Sequence, residues 1–176
     1  PYAELVRYLA AYREQIDVVR EAGAEVILMA SRALARTATS PQDYLSVYGT
    51  LLAEADRPVI LHWLGDMFDP ALRGYWGSAD IFSATATFEQ PVTQYADKVD
   101  GVKVSLPHAA HELALRRTLP AAVRLYIGHA SNYPESITAA GHHPSYALLG
   151  VSPAIYPAAS TAPPPRSRSH TPSPAP

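Results

Sequence analysis

Four short apolar runs, separated by longer segments with helical periodicity, constrain the fold of this chain more than any other feature of its sequence. They cover residues 24–30 (AEVILMA), 59–63 (VILHW), 99–105 (VDGVKVS) and 123–128 (VRLYIG). Runs that are apolar on both faces are typical of parallel strands that helices cover. The alternation of helix and strand, with short links, predicts parallel βαβ units with right-handed crossovers.

Between the runs, apolar residues recur at steps of three and four, which indicates helices over 3–22, 41–55, 80–96 and 107–119. We expect Pro91 to interrupt the third of these helices. Ser40 precedes Pro41 and predicts a capped helix start at that point. We expect loops at 31–40 and 65–77 and a fifth strand within 147–155. The apolar residues of the last helix predict its inward face: Ala110, Leu113, Ala114 and Leu115.

The carboxyl-terminal stretch differs in composition from the rest of the chain. Residues 160–176 are rich in Pro, Ser, Thr and Arg without periodicity, which predicts a disordered tail. The remaining residues, 1–159, are long enough for one domain with a buried core. Because the chain opens on Pro1 rather than Met, we expect a fragment of a longer protein.

Composition excludes several function classes. The net charge of -2 does not indicate a basic surface for nucleic acid or acidic lipid. The chain has no cysteine, which excludes disulfides and thiolate chemistry. No apolar run is long enough to span a bilayer, and no signal peptide is evident. No glycine-rich phosphate loop indicates a nucleotide. We therefore expect a cytoplasmic protein.

A lysine in the third apolar run is the most informative polar residue. Strand alternation places Lys103 and Ser105 on one face and Val102 and Val104 on the other. A buried ammonium must be solvated, paired or deprotonated, because a lone buried charge is costly. Burial lowers the pKa of a lysine, and the neutral amine can attack a carbonyl to form a Schiff base. The alternative is a strand-end lysine whose amine reaches water.

Other polar residues follow the predicted strands, where parallel sheets place their catalytic groups. His62 could act as a general base oriented by Asp66, or could be a hydrogen-bonded core histidine. Arg32 could bind a substrate carboxylate in a bidentate manner, or could lie on the surface. Asn132 and Tyr133 could contact substrate or cap the next helix.

Paired histidines raise the question of a metal site. His108 and His111 have the spacing that puts two imidazoles on one helix face, and His142 and His143 follow later. The sequence fixes no third ligand, so exposed histidines are the alternative, and we predict no metal.

The order and spacing of Gly101-Val102-Lys103 and Gly128 resemble the sixth and seventh strands of the dihydrodipicolinate synthase and N-acetylneuraminate lyase superfamily. Four longer runs resemble an uncharacterised bacterial branch of it, a domain of unknown function described as dihydrodipicolinate-synthase-like. These runs are ILMASRALA, PVILHWLGDMFDPALRGYWGS, ADKVDGVKVSL and ALLG. The resemblance covers roughly residues 14–159.

The resemblance implies an α/β fold of the (β/α)8 TIM-barrel type. This chain would hold strands four to eight, and strands one to three would be missing. Lys103 would be the imine-forming lysine of a class I aldolase or lyase that acts on a 2-oxo acid such as pyruvate without a cofactor. The chain itself would be a truncated form.

The expected site has two groups of residues. The catalytic residues are Lys103, His62, Ser105 and Tyr133, of which the last three would transfer protons or orient groups. The substrate-binding residues are Ser31, Arg32, Trp63, Asp66, Gly128 and Asn132.

Two alternatives belong to other classes. One is a metal-dependent barrel hydrolase or aldolase that uses His62, Asp66 and His129. The other is a barrel remnant without catalysis. Because five strands cannot close an eight-stranded barrel, its open edges would favour self-association, and we expect a homo-oligomer.

Overall fold

The computed structural model describes residues 2–127 and 145–147. Its helices and strands are α1 (Tyr2–Glu21), β1 (Ile27–Met29), α2 (Arg32–Thr37), α3 (Pro41–Glu54), β2 (Val59–Leu64), α4 (Ile81–Gln94), β3 (Val99–Ser105), α5 (Ala109–Thr118), β4 (Arg124–Ile127) and β5 (Ser145–Ala147). Two 3-10 turns, Pro70–Leu72 and Tyr75–Gly77, lie between β2 and α4. Within these ranges no helix is long and apolar enough to cross a membrane.

The strands form one sheet in the order β1-β2-β3-β4-β5, and every neighbouring pair is parallel. This confirms the predicted mixed α/β class with a parallel sheet. Because the spatial order follows the chain order, right-handed crossovers place the connecting helices on the same face of the sheet.

The two faces of the sheet differ in burial. On the helix-covered face, Leu28, Leu61 and Val102 are at most 3% exposed. The opposite face, which we call the lysine face, carries Met29, His62, Lys103 and Tyr126 in register across β1 to β4. Met29 is 48% exposed, and Lys103 and Tyr126 are half-buried. Strand alternation therefore produces one apolar packing face and one mixed polar face.

An aromatic layer fills the space between the sheet and helices α3 and α4. Its members are Tyr44, Tyr48, Trp63, Tyr75, Trp76 and Phe88. The Trp76 ring centroid lies 4.5 Å from that of Tyr48 and 5.1 Å from that of Phe88. Trp76 reaches this position from a tight turn in which it adopts a φ of 68°. The segment expected as a loop after β2 therefore supplies three residues of the buried core, Leu72, Tyr75 and Trp76.

Two helices depart from the sequence expectation. Residues 31–40 were expected as a loop but contain α2, whose first turn Ser31 caps by accepting a hydrogen bond from the Leu34 N–H at 3.2 Å. Helix α4 continues through Pro91 instead of being interrupted there. The packing of Phe88 and Val92, both fully buried, favours the continuous helix over the break that proline alone would predict.

Helix α5 turns a different face to the core than the one we expected. Leu113 is 38% exposed, and Ala114 is also exposed. His111 is 2% exposed and Arg116 5%, on the same side as the buried Leu115. The His111 ring nitrogen Nε2 lies 2.6 Å from the Thr85 hydroxyl on α4 in a hydrogen bond. A polar contact between two helices therefore decides which face of this short helix is buried, and the apolar pattern of the helix alone does not predict it.

The fifth strand occupies Ser145–Ala147, at the edge of the segment 147–155 where it was expected. Several predictions lie outside the described residues, namely those for Gly128, His129, Asn132, Tyr133, His142, His143 and the tail 160–176. The division into a domain at 1–159 and a tail stays a prediction.

Candidate active site on the lysine face

A hydrogen-bonded histidine and serine lie beside Lys103. The Nε2 atom of His62 on β2 and the Oγ atom of Ser105 on β3 are 2.9 Å apart. His62 is the register partner of Lys103, and Ser105 follows Lys103 by two residues on the same face. His62 is 8% exposed and Ser105 2%, whereas Lys103 is half-buried. The structure therefore brings together three of the four residues predicted to be catalytic.

The electrostatics of this cluster favour neutral groups. Burial lowers the pKa of the Lys103 amine below its usual value. Burial, and then the positive charge of Lys103, lowers the pKa of His62 to about 4. The imidazole is therefore uncharged at neutral pH and can both accept and donate a proton, one at each ring nitrogen. A larger share of Lys103 is a neutral amine than in an exposed lysine.

Tyr126 also belongs to the lysine face, although it was not among the predicted site residues. Its ring lies over Gly101, and its hydroxyl donates a hydrogen bond to Asp100 at 2.8 Å. Arg124 donates to the other carboxylate oxygen of Asp100 at 2.5 Å. Strand alternation does put Arg124 and Tyr126 on one face of β4. Their partners depend on the pairing of β4 with β3, which places Arg124 opposite Gly101 and Tyr126 opposite Lys103.

The residues after β1 contact a neighbouring loop rather than Lys103. The Ser31 N–H donates to the Tyr75 hydroxyl at 3.0 Å, while the Ser31 side chain caps α2. Arg32 is 70% exposed and forms an ion pair with Asp69, which lowers the pKa of that carboxyl. Ser31 and Arg32 thus hold the β2–α4 loop against the end of β1. Their expected contacts with substrate stay predictions.

Two further predicted substrate contacts lie apart from the cluster. Trp63 is 4% exposed and points to the helix-covered face, where its ring packs on Phe88 and His111. Adjacent strand residues face opposite sides, so Trp63 cannot share the lysine face with His62. Asp66 is exposed, and within the described chain the hydrogen bond of His62 goes to Ser105 and not to Asp66. We correct the expected orienting partner of His62 accordingly.

The metal interpretation gains no support from the described part of the chain. Among residues 2–127 and 145–147, no group of three His, Asp or Glu side chains comes together. His108 is exposed at the start of α5, and His111 is buried against Thr85. These two side chains therefore do not form a shared site with a third ligand in the described residues.

The fold and the site together define a parallel α/β protein with a lysine, a histidine and a serine clustered on one face of its sheet. The chain belongs to the family described as "Protein of unknown function (DUF993)", whose family model matches residues 2–165. No curated protein matches this chain. Family membership confirms the expected domain of unknown function.

Proposed function

We propose that the protein is a class I aldolase or lyase that captures a small 2-oxo acid, such as pyruvate, as a Schiff base on Lys103. The observation that carries the proposal is a half-buried amine beside a neutral His62 hydrogen-bonded to Ser105. A lysine whose pKa burial has lowered is the type of amine that attacks carbonyl groups. No metal or organic cofactor is required for this chemistry.

The reaction needs one nucleophile and a route for protons. The neutral Nζ of Lys103 attacks the keto carbon, the carbonyl oxygen leaves as water, and a C=N bond forms. The protonated imine then withdraws electrons from the neighbouring carbon, so that a C–C bond at that carbon can form or break. Ser105 and His62 would relay protons to and from the departing oxygen, because they already share a 2.9 Å hydrogen bond.

The architecture supports the proposal that this chain is part of a TIM barrel. Parallel strands in sequential order, with helices on one face, are the arrangement of a (β/α)8 barrel. Strands β1 to β5 would then correspond to strands four to eight, and the lysine face would be the barrel interior. Tyr133, Gly128 and Asn132 would complete the site from the loop after β4.

We also propose that the protein acts in the cytoplasm and as a homo-oligomer. The supporting observation for self-association is the short terminal strand β1, on which Ile27 is 40% exposed. Partly exposed apolar side chains on an edge strand favour pairing with another chain.

Borohydride trapping tests the proposed chemistry. The chain holds only two lysines, Lys98 and Lys103, so peptide mapping assigns any adduct without ambiguity. Incubation with pyruvate and sodium borohydride should add the reduced pyruvyl mass to Lys103. The variant Lys103→Arg should lose the adduct, whereas Lys98→Arg should retain it. Absence of an adduct on Lys103 with pyruvate and a panel of other 2-oxo acids would reject the proposal.

A further inference from the structure

Gly101 leaves room for an aromatic ring on the lysine face. A Cβ atom at this position would overlap the Tyr126 ring and would lie 2.8 Å from the Arg124 carbonyl oxygen. Real Cβ atoms do not approach other atoms so closely, so only glycine leaves room for the Tyr126 ring at this point of β3. The Gly-Val-Lys order therefore has a packing reason: it lets a ring lie beside the lysine.

The orientation of the ring is fixed at its hydroxyl end. The Tyr126 hydroxyl donates to Asp100 at 2.8 Å, and Arg124 donates to the same carboxylate at 2.5 Å. Asp100 precedes Gly101 on β3, so these bonds hold the ring toward the amino-terminal end of that strand. A charge-assisted bond to each carboxylate oxygen makes this a stiff arrangement.

Lys103 is the register partner of Tyr126 and follows Gly101 by two residues on the same face. The ring over Gly101 therefore lies on the amino-terminal side of Lys103. The ionisable register partners of Lys103 are His62 from β2 and Tyr126 from β4, and the Asp100–Arg124 ion pair lies next to them toward the amino-terminal end of β3.

We propose that Tyr126 is a positioning residue for Lys103. The Tyr126 ring over Gly101 leaves the amine only its carboxyl-terminal side, next to Ser105, on which to meet a carbonyl. The catalytic consequence of this inference rests on the proposed function. The same ring excludes water from the lysine stem, and so it contributes to the burial that lowers the amine pKa.

Competitive acylation tests the positioning role without any 2-oxo acid. Trace acetic anhydride is applied across a pH series, and Lys98 serves as the internal reference within the same molecule. In Tyr126→Ala the midpoint of Lys103 labelling should rise by about half a pH unit or more, because the stem becomes hydrated. Tyr126→Phe retains the ring but loses the hydrogen bond to Asp100, and should give a smaller rise than Tyr126→Ala. Gly101→Ala displaces the ring and should behave like Tyr126→Ala.

Two further variants separate positioning from stability. Tyr95→Ala removes a partly buried ring that packs against the core rather than on the lysine face, and should leave the Lys103 midpoint unchanged. Tyr126→Leu preserves apolar volume if Tyr126→Ala does not fold, and should give a smaller rise. An unchanged midpoint in both Tyr126→Ala and Tyr126→Leu, or in the one that folds, would overturn the positioning role.

The two proposals fail in distinguishable ways. A wild-type protein that forms no borohydride adduct, while its Lys103 midpoint still moves in Tyr126→Ala, would reject the aldolase chemistry and retain the positioning role. An adduct whose rate of formation and pH profile are the same in wild type and Tyr126→Ala would retain the chemistry and reject the role of Tyr126.

Discussion

At the scale of single residues, Lys103 and His62 influence each other's charge. The pKa of His62 falls first because the ring is buried and then because the Lys103 ammonium repels a second positive charge. The amine lies in a half-buried position and has its own pKa lowered by burial. Such pairs of groups with shifted pKa values are more common at functional sites than elsewhere.

The buried state of His62 makes stability depend on pH in a defined window. The unfolded chain protonates this histidine near pH 6.5 and the folded protein near 4, so the unfolded state binds more protons between these values. Stability should therefore fall as the pH is lowered from 6.5 toward 4. At about 1.4 kcal/mol per pKa unit, reduced for partial solvent screening, we expect a loss of about 2 kcal/mol.

Urea denaturation at a series of pH values checks this expectation. His111 also has its pKa lowered by burial and adds to the wild-type slope. His62→Gln should therefore have a shallower pH dependence than wild type, and the double variant His62→Gln/His111→Gln should have a shallower one still. Equal slopes for wild type and His62→Gln would contradict the assignment.

Separate replacement of each of the two lysines should affect the melting temperature differently. Lys103→Met removes a partly desolvated charge and should leave the melting temperature equal to or above that of wild type. Lys98→Met removes a hydrogen bond from the ammonium to the Ala55 carbonyl at 2.9 Å and should lower it. In Lys103→Met the pKa of His62, measured by NMR titration, should also rise. A His62 pKa that stays unchanged would show that the two groups do not interact.

At the scale of elements, the start of α3 depends on a few local bonds. The Asp43 carboxylate accepts hydrogen bonds from the backbone N–H groups of Thr39 at 2.8 Å and Ser40 at 3.0 Å. Those bonds lower the pKa of the carboxyl. Pro41 occupies the first turn, where its missing N–H costs nothing.

We expect Asp43→Ala to destabilise the protein by about 1 kcal/mol, the usual effect of losing a helix cap. Gln42→Ala, which alters an exposed neighbour in the same turn, is the control and should have little effect. Chemical denaturation of both variants at pH 7 gives the comparison. A loss in Gln42→Ala as large as in Asp43→Ala would contradict the role of the cap.

Local chemistry also explains which elements the sequence could predict. The Ser40-Pro41 start of α3 and the apolar runs of β2 and β3 depend on neighbours along the chain, and both were predicted correctly. The buried face of α5 was not, because the hydrogen bond of His111 to Thr85 depends on how two helices pack. The place of Tyr126 was missed for the same reason, since the pairing of β4 with β3 decides which residue it covers.

At the scale of the whole molecule, the sheet is asymmetric. Helices cover one face, while the lysine face keeps partly exposed apolar residues on β1 next to a polar cluster on β2 and β3. The parallel class could be predicted from apolar runs alone. The composition of the site was predicted only in part. His62 and Ser105 lie beside Lys103 as expected, whereas Trp63 lies on the opposite, helix-covered face.

We expect this asymmetry to produce self-association through the edge of β1. Ile27→Lys places a charge on the edge strand and should weaken the homo-oligomer about tenfold or more, which corresponds to about 1.4 kcal/mol. Val18→Lys changes an exposed apolar residue of α1, which is 62% exposed, and is the control. Sedimentation velocity over a concentration series measures both. A monomeric wild type at every concentration would contradict the expectation.

The aromatic layer determines what intrinsic fluorescence can report. Both tryptophans of the chain, Trp63 and Trp76, belong to that layer, and their ring centroids are 6.4 Å apart. Their emission should shift to longer wavelength when α3 and α4 detach from the sheet and water reaches the indoles. A molecule bound at the Lys103 amine is separated from both indoles by the strand backbone and should change the spectrum little. Emission is therefore a reporter of unfolding in this protein, and ligand titrations call for calorimetry or NMR.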